Sequence, residues 1–214
     1  MRIEVSERTL RAGIREFLRH KNWPRDFHAD FYARQRRRRA AGLTEEWWSR
    51  TVGELSRWRA IRPLSRAEVR RRGLRVLSRL DEAYELLPAE GTEFGEAKWN
   101  DLSELFDVTS SIKVTLRPSP VFPSKLCHFI RPDLYVVVDR EATGVSERYE
   151  QSWTECSTAW RAAAPIHAAL CRQLTKAAGV PLPPTYPFAT KITELCMIGT
   201  RVLARTVRRH DEMR

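Results

Sequence analysis

The sequence predicts an all-α protein, and three observations carry that prediction. Along most of its 214 residues the apolar positions recur at three and four rather than at two. Ser or Thr stands at the head of several of these stretches, where a hydroxyl can accept a backbone N–H. Only one run, Leu134 to Val138, has the continuous β-branched character of a buried strand, and a single run cannot make a sheet. The expected architecture is seven to eight helices in one domain, with lobes at residues 1–88 and 96–214.

Taken in order, Ser6 heads a helix with Leu10, Ile14, Phe17 and Leu18 on its apolar stripe, ending near Asn22-Trp23-Pro24. Phe27, Phe31 and Tyr32 open a second, which runs into Arg34, Arg36, Arg37, Arg38 and Arg39 before Gly42 stops it. Thr44, with Glu45 and Glu46 in the first turn, starts a third that turns Trp47, Trp48, Val52, Leu55 and Trp58 inward. Ser65 and Glu68 form a capping-box pattern ahead of one long basic helix reaching Leu87. Pro88 to Gly95 is polar and glycine-bearing, hence a loop or lobe boundary. Trp99, Leu102, Leu105 and Phe106 mark a short amphipathic helix. Beyond the central stretch, helix is expected through Tyr149, Trp153 and Trp160 to Leu174, with an interruption near Pro165. Pro181, Pro183, Pro184 and Pro187 enforce an extended connector. The last helix, about 189–209, buries Ile192, Leu195, Cys196 and Ile198, and its far end carries Arg201, Arg205, Arg208 and Arg209.

Composition narrows the class of partner. With 42% hydrophobic and 30% charged residues the chain folds, and a net charge of +11 makes nucleic acid the leading candidate. No run reaches secretory or transmembrane length, so no membrane partner and a cytoplasmic monomer are expected. The four cysteines, at 127, 156, 171 and 196, include no two-residue spacing and read as reduced, buried thiols rather than as a disulfide frame or metal knuckle. No metal or other cofactor is called for.

The chain is organised around Phe122 to Gly144. Pro123-Ser124-Lys125 opens a helical turn whose apolar members Leu126, Phe129 and Ile130 leave Lys125 and His128 on a neighbouring face. Pro132-Asp133 then leads into Leu134 to Val138, which ends at Asp139. A helix-competent sequence follows Asp139, so its carboxylate is expected at a helix N-terminus. A lysine and an aspartate are thus delivered to the two ends of one apolar element. His128 suits a core-edge position better than a catalytic one.

The pattern Ser124-Lys125-Leu126, His128-Phe129, Pro132, Leu134 and Asp139 resembles the active-site region of base-excision DNA glycosylases of the helix-hairpin-helix superfamily, relatives of the oxoguanine glycosylases especially. The resemblance covers about 25 to 30 residues. It implies double-stranded DNA as partner, Asp139 as catalytic carboxylate, either a monofunctional enzyme in which water attacks or one with lyase activity in which Lys125 is the Schiff-base amine, and a helix-hairpin-helix glycosylase-like fold that flips out a damaged or modified base, in repair or in defence against modified phage DNA. The chain departs from that family where its glycine-rich hairpin should precede the lysine, since Arg117 to Ser124 contains no glycine. Around the pair, Ser124, His128, Arg131, Arg140 and Arg117 are expected at the DNA, with Arg36, Arg37, Arg38, Arg39 and Arg205 on phosphates. The chemistry fits independently of any family: a fixed carboxylate stabilises the positive charge that grows on the sugar as an N-glycosidic bond breaks, and it can also orient water. Two alternatives share the composition. One is a DNA-binding protein without catalysis; the other is a metal-dependent nuclease using Asp133, Asp139 and Glu141, although its fold needs a central sheet.

Overall fold

A computed structural model describes residues 3–40, 42–114, 119–140, 142–144 and 148–212, with side chains through Thr206 in the last segment. Among the described residues there are ten α-helices and no strand. They are α1 (Glu7–Arg19), α2 (Ala29–Arg39), α3 (Glu45–Arg57), α4 (Arg66–Leu74), α5 (Leu77–Glu85), α6 (Ser103–Ile112), α7 (Val121–Ile130), α8 (Tyr149–Ala162), α9 (His167–Ala178) and α10 (Phe188–Glu212). Short 3-10 turns precede α6 and separate α8 from α9. Ser6, Thr44 and Ser65 cap α1, α3 and α4, each accepting the N–H of the residue three positions on, at 3.3, 3.2 and 3.1 Å.

The helices outnumber the seven or eight expected. The long helix after Ser65 breaks into α4 and α5, because its first turns are drawn onto α3. The indole of Trp48 lies against Gly73, where a Cβ would stand 1.9 Å from the ring, and Trp48 Nε1 donates to Arg70 O at 2.9 Å. The helical stretch after residue 148 divides at Pro165, as the proline predicts.

α1 packs along α10, so the first described helix is clamped to the last. Two glycines set their separation: a Cβ on Gly13 would fall 1.8 Å from Leu195 O, and one on Gly199 would fall 1.9 Å from Thr9 O. Elsewhere α3 packs on α4, and α6 on α5 and α7, around one continuous apolar core.

α7 lies in the middle of that core, with every residue from Phe122 to Ile130 buried. The run Leu134 to Val138 is also wholly buried, but it pairs with no strand. Side chains satisfy its carbonyls instead. Trp153 Nε1 donates to Leu134 O at 2.8 Å, His128 Nδ1 to Tyr135 O, and the Tyr149 hydroxyl to Val136 O at 2.8 Å. Ser124 Oγ accepts from Val138 N at 3.3 Å. Buried backbone groups need partners, and here four side chains do the work of a neighbouring strand. The connector is therefore fixed, and Asp139 at its end is fixed with it.

Candidate active site

α7 and the connector bring Lys125 and Asp139 together in the lining of an open cleft of about 1330 Å³. Lys125 is 7% exposed, and its Nζ donates to Asp139 Oδ2 and to Trp58 O, both at 3.0 Å. The Asp139 side chain remains 30% exposed, and both residues line the cleft. The juxtaposition expected from the sequence is present, by a different local device. Asp139 heads no helix; α8 begins ten residues later. Asp139 instead anchors a turn. Its main-chain oxygen accepts from Thr143 N at 2.9 Å and Gly144 N at 3.0 Å, and Oδ1 accepts from Ala142 N at 3.3 Å. Gly144 has a φ of 80°, which favours glycine.

Beside this pair lies a second one that the sequence reading missed. Lys191 is fully buried on α10, its Nζ 2.9 Å from Glu194 Oε2, 3.3 Å from His28 Nδ1 and 4.7 Å above the Phe17 ring. Glu194 and His28 line the cleft. The signal was available: a lysine and a glutamate three apart interrupt the otherwise uncharged stretch from Phe188 to Thr200. The His28 ring packs on the Trp58 indole at 4.4 Å. Burial, and after it the nearby ammonium of Lys191, hold the His28 imidazole well below its ordinary pKa, so it is neutral.

The backbone is strained at the two turns that present these groups. Phe27 and His28 have φ of 50° and 70°, and Arg59, next to Trp58, has φ of 54°. Non-glycine residues in the left-handed region cost on the order of 1–3 kcal/mol each and cluster at functional sites. Asp26 holds the first turn, accepting from His28 N at 3.1 Å and Asp30 N at 3.0 Å.

Among the described residues cations dominate the cleft lining, with eleven Lys and Arg against six Asp and Glu. Arg57, Arg59, Arg62 and Lys113 come from α3, the loop after it and the end of α6; Arg140 and Arg205 come from the Asp139 turn and α10. Arg201, also in the lining, donates through Nη1 to Arg140 O at 2.8 Å.

The residues expected at DNA divide into groups. Arg140 and Arg205 are exposed along the cleft. Ser124, His128 and Arg131 are buried and committed internally. Ser124 bonds Val138, His128 lies between the Tyr32 hydroxyl at 2.8 Å and Tyr135 O, and Arg131 holds Asp133 at 2.7 Å and Pro88 O at 2.8 Å. These three build the core rather than a DNA-facing surface; the sequence pattern gave their spacing but not how deeply α7 sinks. On α2, Arg36 and Arg37 are exposed but do not line the cleft, Arg38 approaches Glu54 at 3.8 Å, and Arg39 folds back so that its Nε and Nη1 are buried. Arg34, from the same helix, does line it. Arg117 lies outside the described residues, as do the side chains of Arg208 and Arg209. Asp133, bound to Arg131, does not line the cleft that holds Asp139, so the two acids of the nuclease alternative are not brought together there; its third, Glu141, lies outside the described residues. No family model matches the chain, and no curated protein or solved structure matches it either.

Proposed function

We propose that the protein is a DNA N-glycosylase which takes an extruded, damaged or modified base into the cleft and hydrolyses its glycosidic bond beside Asp139, in repair or in defence against modified phage DNA. One observation carries this reading: a held carboxylate, ion-paired to a buried lysine, opens onto a cleft whose charged lining is mostly cationic. The cations suit a phosphate backbone and the carboxylate suits the sugar. As the C1′–N bond breaks, its electron pair leaves with the base and positive charge spreads over C1′ and the ring oxygen. Asp139 stabilises that charge and orients a water, whose oxygen bonds to C1′ while its proton passes through the carboxylate to the departing base. Lys125 Nζ is already committed to Asp139 Oδ2 and Trp58 O. Its pairing supports the hydrolytic path over the Schiff-base path, with Lys125 positioning the carboxylate.

The test is incubation with a panel of duplexes, each carrying one lesion or hypermodified base, followed by alkali and a gel that reports abasic sites as strand breaks. At least one duplex is expected to break with the wild type, and Asp139→Asn is expected to lose at least about a hundredfold in excision while still binding that duplex. Binding across the whole panel with no strand break would replace excision by DNA binding without catalysis.

A further inference from the structure

The geometry points to His28 as the residue that recognises the substrate: its Nε2–H donates a hydrogen bond to an acceptor, a ring carbonyl of an oxo-base, on the ligand that enters the cleft. The inference rests on the excision reading for the word base, but its structural argument is separate. An ammonium can only donate, so the contact from Lys191 Nζ at 3.3 Å makes His28 Nδ1 the acceptor. The imidazole proton then sits on Nε2. Among the described residues nothing accepts from that nitrogen, although His28 walls the cleft.

The fold invests heavily in this placement. His28 is held in the left-handed region by Asp26, whose carboxylate accepts from His28 N and Asp30 N, and its ring is seated on Trp58. Lys191 cannot drift from Nδ1, because Glu194 and the Phe17 ring fix it from other directions. Burial together with the Lys191 charge keeps the ring neutral, so it presents one donor of fixed tautomer rather than a charge. A neutral donor that stands unpaired in a cleft discriminates by the acceptor it is offered, since a ligand lacking one leaves it unsatisfied. Trp58 also carries the carbonyl that holds Lys125, so recognition at His28 and the Lys125–Asp139 pair share one support.

The experiment uses the full chain labelled with 15N-histidine, titrated with free uracil and free hypoxanthine, and with indole as a bicyclic probe that has no carbonyl. The Nε2–H resonance of His28 is expected in the free protein as the Nε2–H tautomer, shifting with uracil and hypoxanthine but not with indole. His28→Phe keeps a ring against Trp58 and is expected to lose about tenfold in affinity for both bases and little for indole, whereas His28→Gln, with an amide donor at similar reach, recovers most of it. Circular dichroism of both variants checks that they fold, and if His28→Phe does not, the tautomer, the probe shifts and His28→Gln decide alone. An Nδ1–H tautomer, equal shifts with indole, no shift with either base, or undiminished base affinity in a folded His28→Phe overturns the proposal. Base binding through His28 without excision of any duplex would sink the excision reading and leave this one standing; excision with no His28 response would do the reverse.

Discussion

Lys125 and Asp139 differ in what they can lose. Lys125 gives up two hydrogen bonds in a site that is 7% exposed, so Lys125→Ala leaves Trp58 O without that donor and removes the Lys125 ammonium from the carboxylate. On a duplex found to be cut by the wild type, Lys125→Ala is expected to lower excision through a displaced Asp139, and borohydride is expected to trap no covalent adduct even with the wild-type protein. A trapped adduct that disappears in Lys125→Ala would make the amine the nucleophile. His128 supplies a second expectation. Burial pulls its pKa down to about 3, against about 6.5 for an unfolded histidine. The native state therefore refuses a proton that the unfolded chain binds. The stability this represents is present above pH 6.5 and is lost as pH falls toward 3, and His28 acts with the same sign. Between pH 6.5 and 5 the His128 contribution falls by about 2 kcal/mol. Urea unfolding at the two pH values should show that loss, and a shallower one in His128→Gln.

At the scale of the helix the contacts are backbone to backbone. Gly199→Ala would set a methyl 1.9 Å from Thr9 O, and neither α1 nor α10 can yield locally, so destabilisation of about 1–3 kcal/mol is expected by thermal unfolding. Gly53→Ala, on α3 with nothing within 4 Å of the added carbon, should instead stabilise by about 0.5–1 kcal/mol. The connector offers a similar comparison. Tyr149→Phe leaves the buried Val136 carbonyl unpaired and should cost about 1–3 kcal/mol. These elements also mark how far the sequence could be read. Caps at Ser6, Thr44 and Ser65, the break at Pro165 and the delivery of Lys125 and Asp139 to one place were all legible, because each is a local signal. The split after Gly73 depends on an indole from another helix, and the Asp139 turn on Thr143 and Gly144 competing successfully with helix. His28 was hidden for a further reason: its role comes from Lys191, 163 residues away, and no periodicity connects them.

Over the whole molecule, charge is concentrated where the chemistry is proposed. If the cleft carries DNA, binding should weaken steeply with salt, by orders of magnitude when about five to seven phosphates are neutralised. Replacing Arg62, Arg140 and Arg205 together by glutamine should reduce the slope of log affinity against log salt by about 3, equally for all sequences. Arg36 and Arg37, exposed but off the cleft, should change it by less than about 1 when replaced by glutamine. Equal effects from both sets, measured by fluorescence anisotropy over a salt series, would extend the footprint around α2.

The clasp between α1 and α10 has a consequence during synthesis. The chain leaves the ribosome from its N-terminal end, so α1 waits for a partner made more than 170 residues later, and such distant pairing is slow to form. α10 also brings Lys191, Glu194 and Arg205, without which His28 has no fixed tautomer and the cleft lacks one wall. A nascent chain arrested before Phe188 would hold Lys125 and Asp139 already, yet lack the wall that α10 supplies beside them. If the cleft takes a nucleobase, competence to do so would then arrive with α10 rather than accumulate as the chain grows.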